Sequence, residues 1–335
     1  MKRLAWIVGL FVVIIALILG IITYSFLYQS VVKDHPLVIE VQRGETGHHL
    51  AEQLAEKGHL SSPLLFRLLL KIRGQGKQLQ AGEYQIQPGS TPNSVIDQLV
   101  AGRVMLHPLT IVNGSNGYRL IHKLKHNPNV NFDFHEPATP RSLAKQLNLP
   151  YPSIEGALLP NTYLFAKGAL ASDICLRAFH KMQRALSQQW DQRANNLPYK
   201  KPYQALIVAS MIEKETALKR EMPIIADVIL KRWRHKRRLQ IDAAVIYGLL
   251  PDHYQGDLTR SLLKKDTPYN TYRHAGLPPT PISMPSQQSL HAALHPNDTP
   301  YWYYVAKGDN SHHFSKTLQG QRQAIQRYQK QHIGS

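Results

Sequence analysis

The longest apolar pattern in the chain comes first. From Leu4 to Gln29 there is no charged residue, and Leu, Ile, Val and Phe dominate. A helix of that length spans roughly 36–39 Å, enough to cross a bilayer with some tilt. Lys2 and Arg3 precede it, which predicts a cytoplasmic N-terminus and a body outside the cytoplasm. A cleaved signal peptide would carry a shorter apolar core, about 7–15 residues, before a small-x-small site. This run is longer and ends Tyr24-Ser25-Phe26-Leu27-Tyr28, so a retained single-pass anchor over residues 1–30 is expected.

Beyond a linker (residues 31–36) the periods shorten and alternate. Leu37–Gln42 reads as a strand, and Leu50, Leu54 and Ala55 as a helix stopped by Gly58. A second helix over Pro63–Ile72, a strand over Ala81–Ile86 and a short helix over Val95–Leu99 ended by Gly102 complete a small α+β module, residues 37–103. Residues 104–335 read as one mixed α+β domain. It starts with a strand at Leu106–Val112 and a helical segment after Asn113-Gly114. The Pro- and Asn-rich stretch Asn127–Pro152 reads as a connector. Helices follow at Ser172–Asn195, Tyr203–Leu218 and Glu221–Arg237, with a strand-like Leu239–Asp242. A hairpin (Tyr301–Ala306 with His312–Ser315) and a helix over Gln319–Gln331 close the chain. The fold class is therefore α+β behind a transmembrane helix.

Composition narrows the partners. In 335 residues, 43% hydrophobic and 19% charged content is ordinary for a globular chain, but a net charge of +18 favours an anionic partner. The single cysteine, Cys175, excludes an internal disulfide framework and a Cys-rich zinc site. No His-Glu-x-x-His or Cys-x-x-Cys spacing occurs, and the neighbours His48-His49 and His312-His313 would point to opposite faces of a strand. The histidines read as mostly solvated, and neither a metal nor a cofactor is expected. Gly74-Gln75-Gly76-Lys77 lacks the rest of a phosphate-binding loop. The basic run Lys231–Arg238 suggests nucleic acid, but the anchor places it elsewhere. It reads as a solvated helix end, or as a surface for acidic headgroups or another anionic polymer. No Gly-x-Ser-x-Gly elbow supports a serine hydrolase.

Two acids lie on the otherwise apolar helix at 203–218. The helical neighbours of Glu213 are Ala209, Ser210, Thr216 and Ala217, all small and uncharged. They leave a partly apolar hollow, where a carboxyl holds its proton to higher pH, as a general acid requires. Glu215 has Lys219 at the i, i+4 spacing and reads as a solvated salt bridge. The other reading of Glu213, a buried carboxylate bonded to a backbone amide, stays open. Downstream, Gln240 and Asp242 share a face if Leu239–Asp242 is a strand. Tyr247, Tyr269-Asn270-Thr271-Tyr272 and Gly276-Leu277-Pro278-Pro279 add the amides, phenols and rigid turns suited to sugar rings.

Together, the segments Ala209–Thr216, Leu239–Asp242, Val245-Ile246-Tyr247-Gly248, Tyr269–Tyr272 and Gly276–Pro279 resemble the endolytic murein transglycosylases of the MltG (YceG-like) type. The likeness runs from the anchor, through a LysM-like module near 37–103, to the closing helix. It implies that Glu213 is the catalytic acid and that Ser210, Gln240, Asp242, Tyr247, Asn270 and Tyr272 bind substrate. It also implies the bacterial inner (cytoplasmic) membrane as location and cell-wall glycan strands as substrate, with peptidoglycan synthases (penicillin-binding proteins) as partners and nascent strands as the point of action. The chain departs from the family pattern at Thr280 and Ser286 (usually Gly), Asn161 (usually Asp), Gln321 (usually His) and Asn113 (usually Glu). None of these is expected to touch Glu213.

Such an enzyme needs one carboxyl where most glycoside hydrolases need two. The acid protonates the leaving oxygen between MurNAc and GlcNAc. As carboxylate, it then takes the proton of the muramic 6-hydroxyl, which closes a 1,6-anhydro ring without water. Asp242 as a second carboxylate would give hydrolysis instead. A non-catalytic peptidoglycan-binding scaffold for cell-wall synthases is the rival of another class.

Overall fold

The structure, a computed structural model, describes residues 2–42, 44–250 and 258–328, with side chains from Trp6 onward. Arg43 in the expected module, the first residue of the anchor and residues 329–335 of the expected closing segment lie outside the described residues. Two units are distinguished, residues 1–107 with 164–167, and residues 108–163 with 168–335.

In the first unit α1 (Lys2–Tyr28) is apolar on every side. Its span Trp6–Tyr28 has a mean hydropathy of 3.0, and every residue from Trp6 to Ser25 is exposed. Among the described residues it is the one helix long and apolar enough to cross a membrane. A compact α+β body follows: β1 (Leu37–Val41), α2 (Gly47–Glu56), α3 (Pro63–Ile72), β2 (Gly82–Ile86) and α4 (Pro92–Val100). β1 and β2 pair antiparallel with Ile39 opposite Tyr84. Strand alternation thus turns Ile39, Val41, Tyr84 and Ile86 inward. Thr46, Ser62 and Thr91 cap the three helices, with Pro63 and Pro92 in first turns where a missing N–H costs nothing. The linker expected at 31–36 is not free. Val31 and Val32 are each 2% exposed and join Phe26, Leu50, Phe66 and Tyr84 in the core. Backbone bonds from Val31 to Ser90 and from Gly89 to Val32 fix them there.

The second unit is built around one buried helix. In chain order it carries most of β3 (Leu106–Ile111), α5 (Gly117–Lys125), β4 (Val130–Asn131), α6 (Pro140–Gln146), the first half of β5 (Asn161–Ala166), β6 (Ala169–Leu170), α7 (Ala171–Asp191), α8 (Pro202–Glu215), α9 (Met222–Arg234), α10 (Asp242–Tyr247), α11 (Arg260–Lys264), α12 (Gln287–Leu294), β7 (Tyr303–Ala306), β8 (His312–Ser315) and α13 (Leu318–Tyr328). The sheets are two-stranded: β3 with β5, β4 with β6, and β7 with β8. Every residue from Ala205 to Ile212 in α8 is buried, which is the burial of a helix apolar all round. α7, α9, α10 and α12 pack against it.

Two local expectations are corrected. The connector at 127–152 contains α6, because Thr139 and Ser142 form a reciprocal capping box and Pro140 starts the helix rather than breaking one. Leu239–Asp242 is a turn, not a strand. Gln240 is left-handed (φ +58°) and Asp242 already opens α10. Gln240 N donates to Thr271 O (3.1 Å) and Ile241 N to Thr271 Oγ1 (2.9 Å), so a loop takes the bonds a strand partner would have taken.

Gly156 tests how tightly this unit is packed. Its φ is +68°, and an added Cβ would lie 2.4 Å from Pro281 Cβ; at Gly168 (φ +79°) nothing lies within 4 Å. Gly156→Ala should cost about 2–4 kcal/mol, combining left-handed strain with overpacking, and Gly168→Ala only about 1–2 kcal/mol. Denaturant unfolding of the two variants in detergent checks the difference; equal losses would remove the packing argument.

Candidate active site

The end of α8 decides where the two acids go. Thr216 is extended (φ −148°) and closes the helix after Glu215. Lys219 therefore does not lie one helical turn beyond Glu215, and among the described residues no ion pair joins the two. Residues two apart on a helix face nearly opposite ways, so Glu213 and Glu215 open onto different grooves.

Glu213 is engaged by α12. Its Oε2 accepts from Ser286 N (2.9 Å), Ser286 Oγ (2.5 Å) and Ser289 Oγ (2.6 Å) at the start of that helix. A carboxylate at a helix N-terminus is favoured by the exposed N–H groups and by the dipole. The reading of Glu213 as a carboxylate bonded to a backbone amide is the one this geometry realises. Ser286, a departure from the family's glycine, supplies two of the donors, which corrects the expectation that no departure touches Glu213. Glu213 and Lys214 also line a groove of about 510 Å³ with Arg119, Lys123 and Asn113.

Glu215 lines a second groove, about 540 Å³, together with Arg232, Gln240, Asp242, Tyr272 and Tyr304. Burial pushes its carboxyl up to about 7; the Tyr304 phenol, donating to it, acts the other way, and the negative charge of Asp242 adds to the rise. The carbonyl end of α8 works in the same direction. Tyr272 donates to Asp242 Oδ1 at 2.5 Å. Arg232 donates to Leu239 O (2.9 Å), Gln240 Oε1 (3.1 Å) and Trp302 O (2.9 Å), so it braces the left-handed turn that presents Gln240 and Asp242.

The other expected substrate-binding residues stand elsewhere. Ser210 is wholly buried; its Oγ donates to Ile207 O (2.7 Å) and accepts from Ile282 N (3.0 Å). Asn270 is wholly buried too, donating to Leu263 O (2.9 Å) and Lys265 O (2.7 Å) and accepting from Tyr272 N (3.0 Å). Tyr247 is 9% exposed and bonds Glu155. These three hold the loops behind the groove. Among the described residues, no three His, Cys, Asp or Glu side chains gather as metal ligands would.

Sequence reasoning missed Glu155 and Tyr304. Glu155 is completely buried and accepts from Gly117 N at 3.1 and 2.9 Å through its two oxygens. Burial pushes it up to about 8, against the opposing effects of the Gly117 and Tyr247 bonds and of Lys214. Folded Glu155 keeps its proton well above the ordinary carboxylate value, so its contribution to stability is complete below about 4.5 and is lost as pH rises through about 8. Glu155→Gln should flatten the fall of unfolding free energy over that window, leaving the part due to Glu215 between about 4.5 and 7. Urea titrations at a series of pH values measure it; an unchanged slope would mean that Glu155 is ionised in the fold.

Over most of its length the chain is similar to other proteins. It is 27% identical to the endolytic murein transglycosylase of Bacillus subtilis, an alignment covering 92% of this chain and 91% of that one. It is 24% identical to the endolytic murein transglycosylase of Streptococcus pneumoniae (D39), covering 81% of this chain but only 54% of the longer relative. The crystal structure of a protein described as yceG-like from Listeria monocytogenes superposes with a TM-score of 0.53 at 25% identity, covering 87% of this chain and 99% of that one. The model of the YceG-like family matches residues 39–327. A match over that much of the sequence, on a chain with this mixed α+β architecture, places the protein in the YceG-like family.

Proposed function

We propose that this protein is an endolytic lytic transglycosylase of peptidoglycan and that Glu215, not Glu213, is its acid and base. The observation that carries the reading is the Glu215 carboxyl, held near neutrality in a groove with Asp242, Tyr272 and Tyr304. A carboxyl that titrates near 7 can give a proton and take one back at the same pH. Glu213, already accepting from three donors, serves instead to fix the last turn of α8. The names of the relatives support murein as substrate.

In this mechanism Glu215 gives its proton to the oxygen between MurNAc C1 and GlcNAc as that bond breaks. The Glu215 carboxylate then takes the proton of the muramic 6-hydroxyl while O6 bonds to C1. The fragment carries a 1,6-anhydro end, and no water is consumed. Asp242, fixed by Tyr272, places negative charge beside the developing oxocarbenium centre. The apolar helix α1 serves as an anchor with the body outside the cytoplasm, where nascent strands are available for release. The body of the first unit, with its βααβ order, is read as a LysM-like glycan-binding module.

Glu215→Gln should leave the fold intact and lower the cleavage rate by about 10²–10⁴ or more. Glu213→Gln should keep activity within about tenfold while lowering stability by about 1–3 kcal/mol. Mass spectrometry of products from uncrosslinked glycan, with thermal unfolding of both variants, separates them. Full cleavage by Glu215→Gln would return the role to Glu213. Free reducing ends in place of anhydro ends would make Asp242 a second catalytic carboxylate.

The acid form of Glu215 is present below about 7, so kcat/KM should fall as pH rises through that value. A rate that rises instead would show that the ionised form starts the reaction.

Topology has its own test. A reporter fused after Ser335 that is active only outside the cytoplasm should be active, with the chain retained in the membrane fraction. Activity only of a cytoplasmic reporter would reverse the assigned orientation.

A further inference from the structure

The groove wall carries one further group that the mechanism does not use, His312, and Glu221 stands behind it. Glu221, 6% exposed, lies six residues beyond the end of α8. It accepts from His312 N (3.1 Å) and Thr216 Oγ1 (3.3 Å), and lies 2.7 Å from His312 Nδ1. The side chains of His312 and Glu221 are 9% and 7% exposed. With donors converging on Glu221, Nδ1 is the nitrogen that carries the proton toward it. That fixes the tautomer and the ring orientation and leaves Nε2 for something else. His312 lines the same groove as Glu215 and Asp242. Its ring stands edge-on to Tyr304, with centroids 5.5 Å apart and planes at 89°, and Tyr304 is the phenol that bonds Glu215.

We propose that the Glu221–His312 pair is a substrate-positioning site. Glu221 orients the imidazole so that Nε2 meets a hydroxyl or amide of the amino sugar lying beside Glu215. The inference rests on the transglycosylase reading and adds a contact to it. A pair that only tied β8 to the end of α8 would not need an imidazole on the groove wall. Orienting that ring in the fold, before substrate arrives, also removes an ordering cost from binding.

The site is tested in the full-length chain carrying Glu215→Gln, which holds glycan without turning it over. The probe is uncrosslinked glycan strands of defined length, and the readouts are the dissociation constant and the melting temperature. His312→Asn keeps an amide near the position of Nδ1, able to bond Glu221, but has nothing where Nε2 was. It should weaken glycan binding about 5–20-fold with an unchanged melting temperature. Glu221→Gln should weaken binding similarly, and the two substitutions together should weaken it no further than His312→Asn alone. In the otherwise native chain, His312→Asn should raise KM more than it lowers kcat. Parent-like glycan binding by His312→Asn would overturn the proposal and leave the pair as a structural brace. The assignment of Glu215 is judged from its own cleavage products, so the two ideas can fail separately.

Discussion

The bonds from the start of α12 to the Glu213 carboxylate set the rotation of α8 about its axis, and with it the placement of both acids. Ser286 and Ser289 hold Oε2 from one side. Glu215 is then carried round to the other side, toward Tyr304. A small rotation of α8 would separate Glu215 from the phenol and move Thr216 off Glu221. The Glu213 carboxyl is thus part of the frame. Removing it would leave Ser286 N and the Ser286 and Ser289 hydroxyls without their acceptor, in a place only partly open to water.

Local chemistry made most helices and strands readable. Capped helix starts such as Ser62-Pro63 and Thr46, the stop at Gly58, and the alternation of Ile39 and Val41 are decided within a few residues. Where tertiary bonds supplied the partners, the pattern misled. Leu239 and Ile241 are both buried, as a strand would have them, but the left-handed Gln240 and the clasp of Thr271 bend the segment into a turn. The Pro-rich stretch concealed α6, since the same Pro140 that reads as a breaker is suited to a first helical turn.

The site was legible as a neighbourhood, but the contacts within it were not. Glu213, Glu215, Gln240, Asp242 and Tyr272 were all singled out, yet the surroundings of the two glutamates depended on where α8 stops. A single residue, Thr216, leaving helical geometry cancelled the salt bridge that made Glu215 look solvated. Small neighbours on its own helix made Glu213 look unpartnered, while its partners came from α12, more than seventy residues away. Polar residues such as Ser210 and Asn270 spend their hydrogen bonds on backbone far along the chain, which no spacing rule reveals. His312 was read as solvated for the same reason: Glu221 is ninety-one positions distant.

Val31 and Val32, seated in the core of the first unit, leave almost no slack between α1 and the body it carries. Two residues reach at most about 7 Å even when extended. With α1 in a bilayer, that body rides on the membrane surface like a fixed mast rather than a float on a line. Its reach is then set by its own dimensions, and lateral diffusion in the plane replaces the swing of a tether as its means of search. Inserting residues between Tyr28 and Val31 would therefore turn a fixed joint into a tether without touching the packed core.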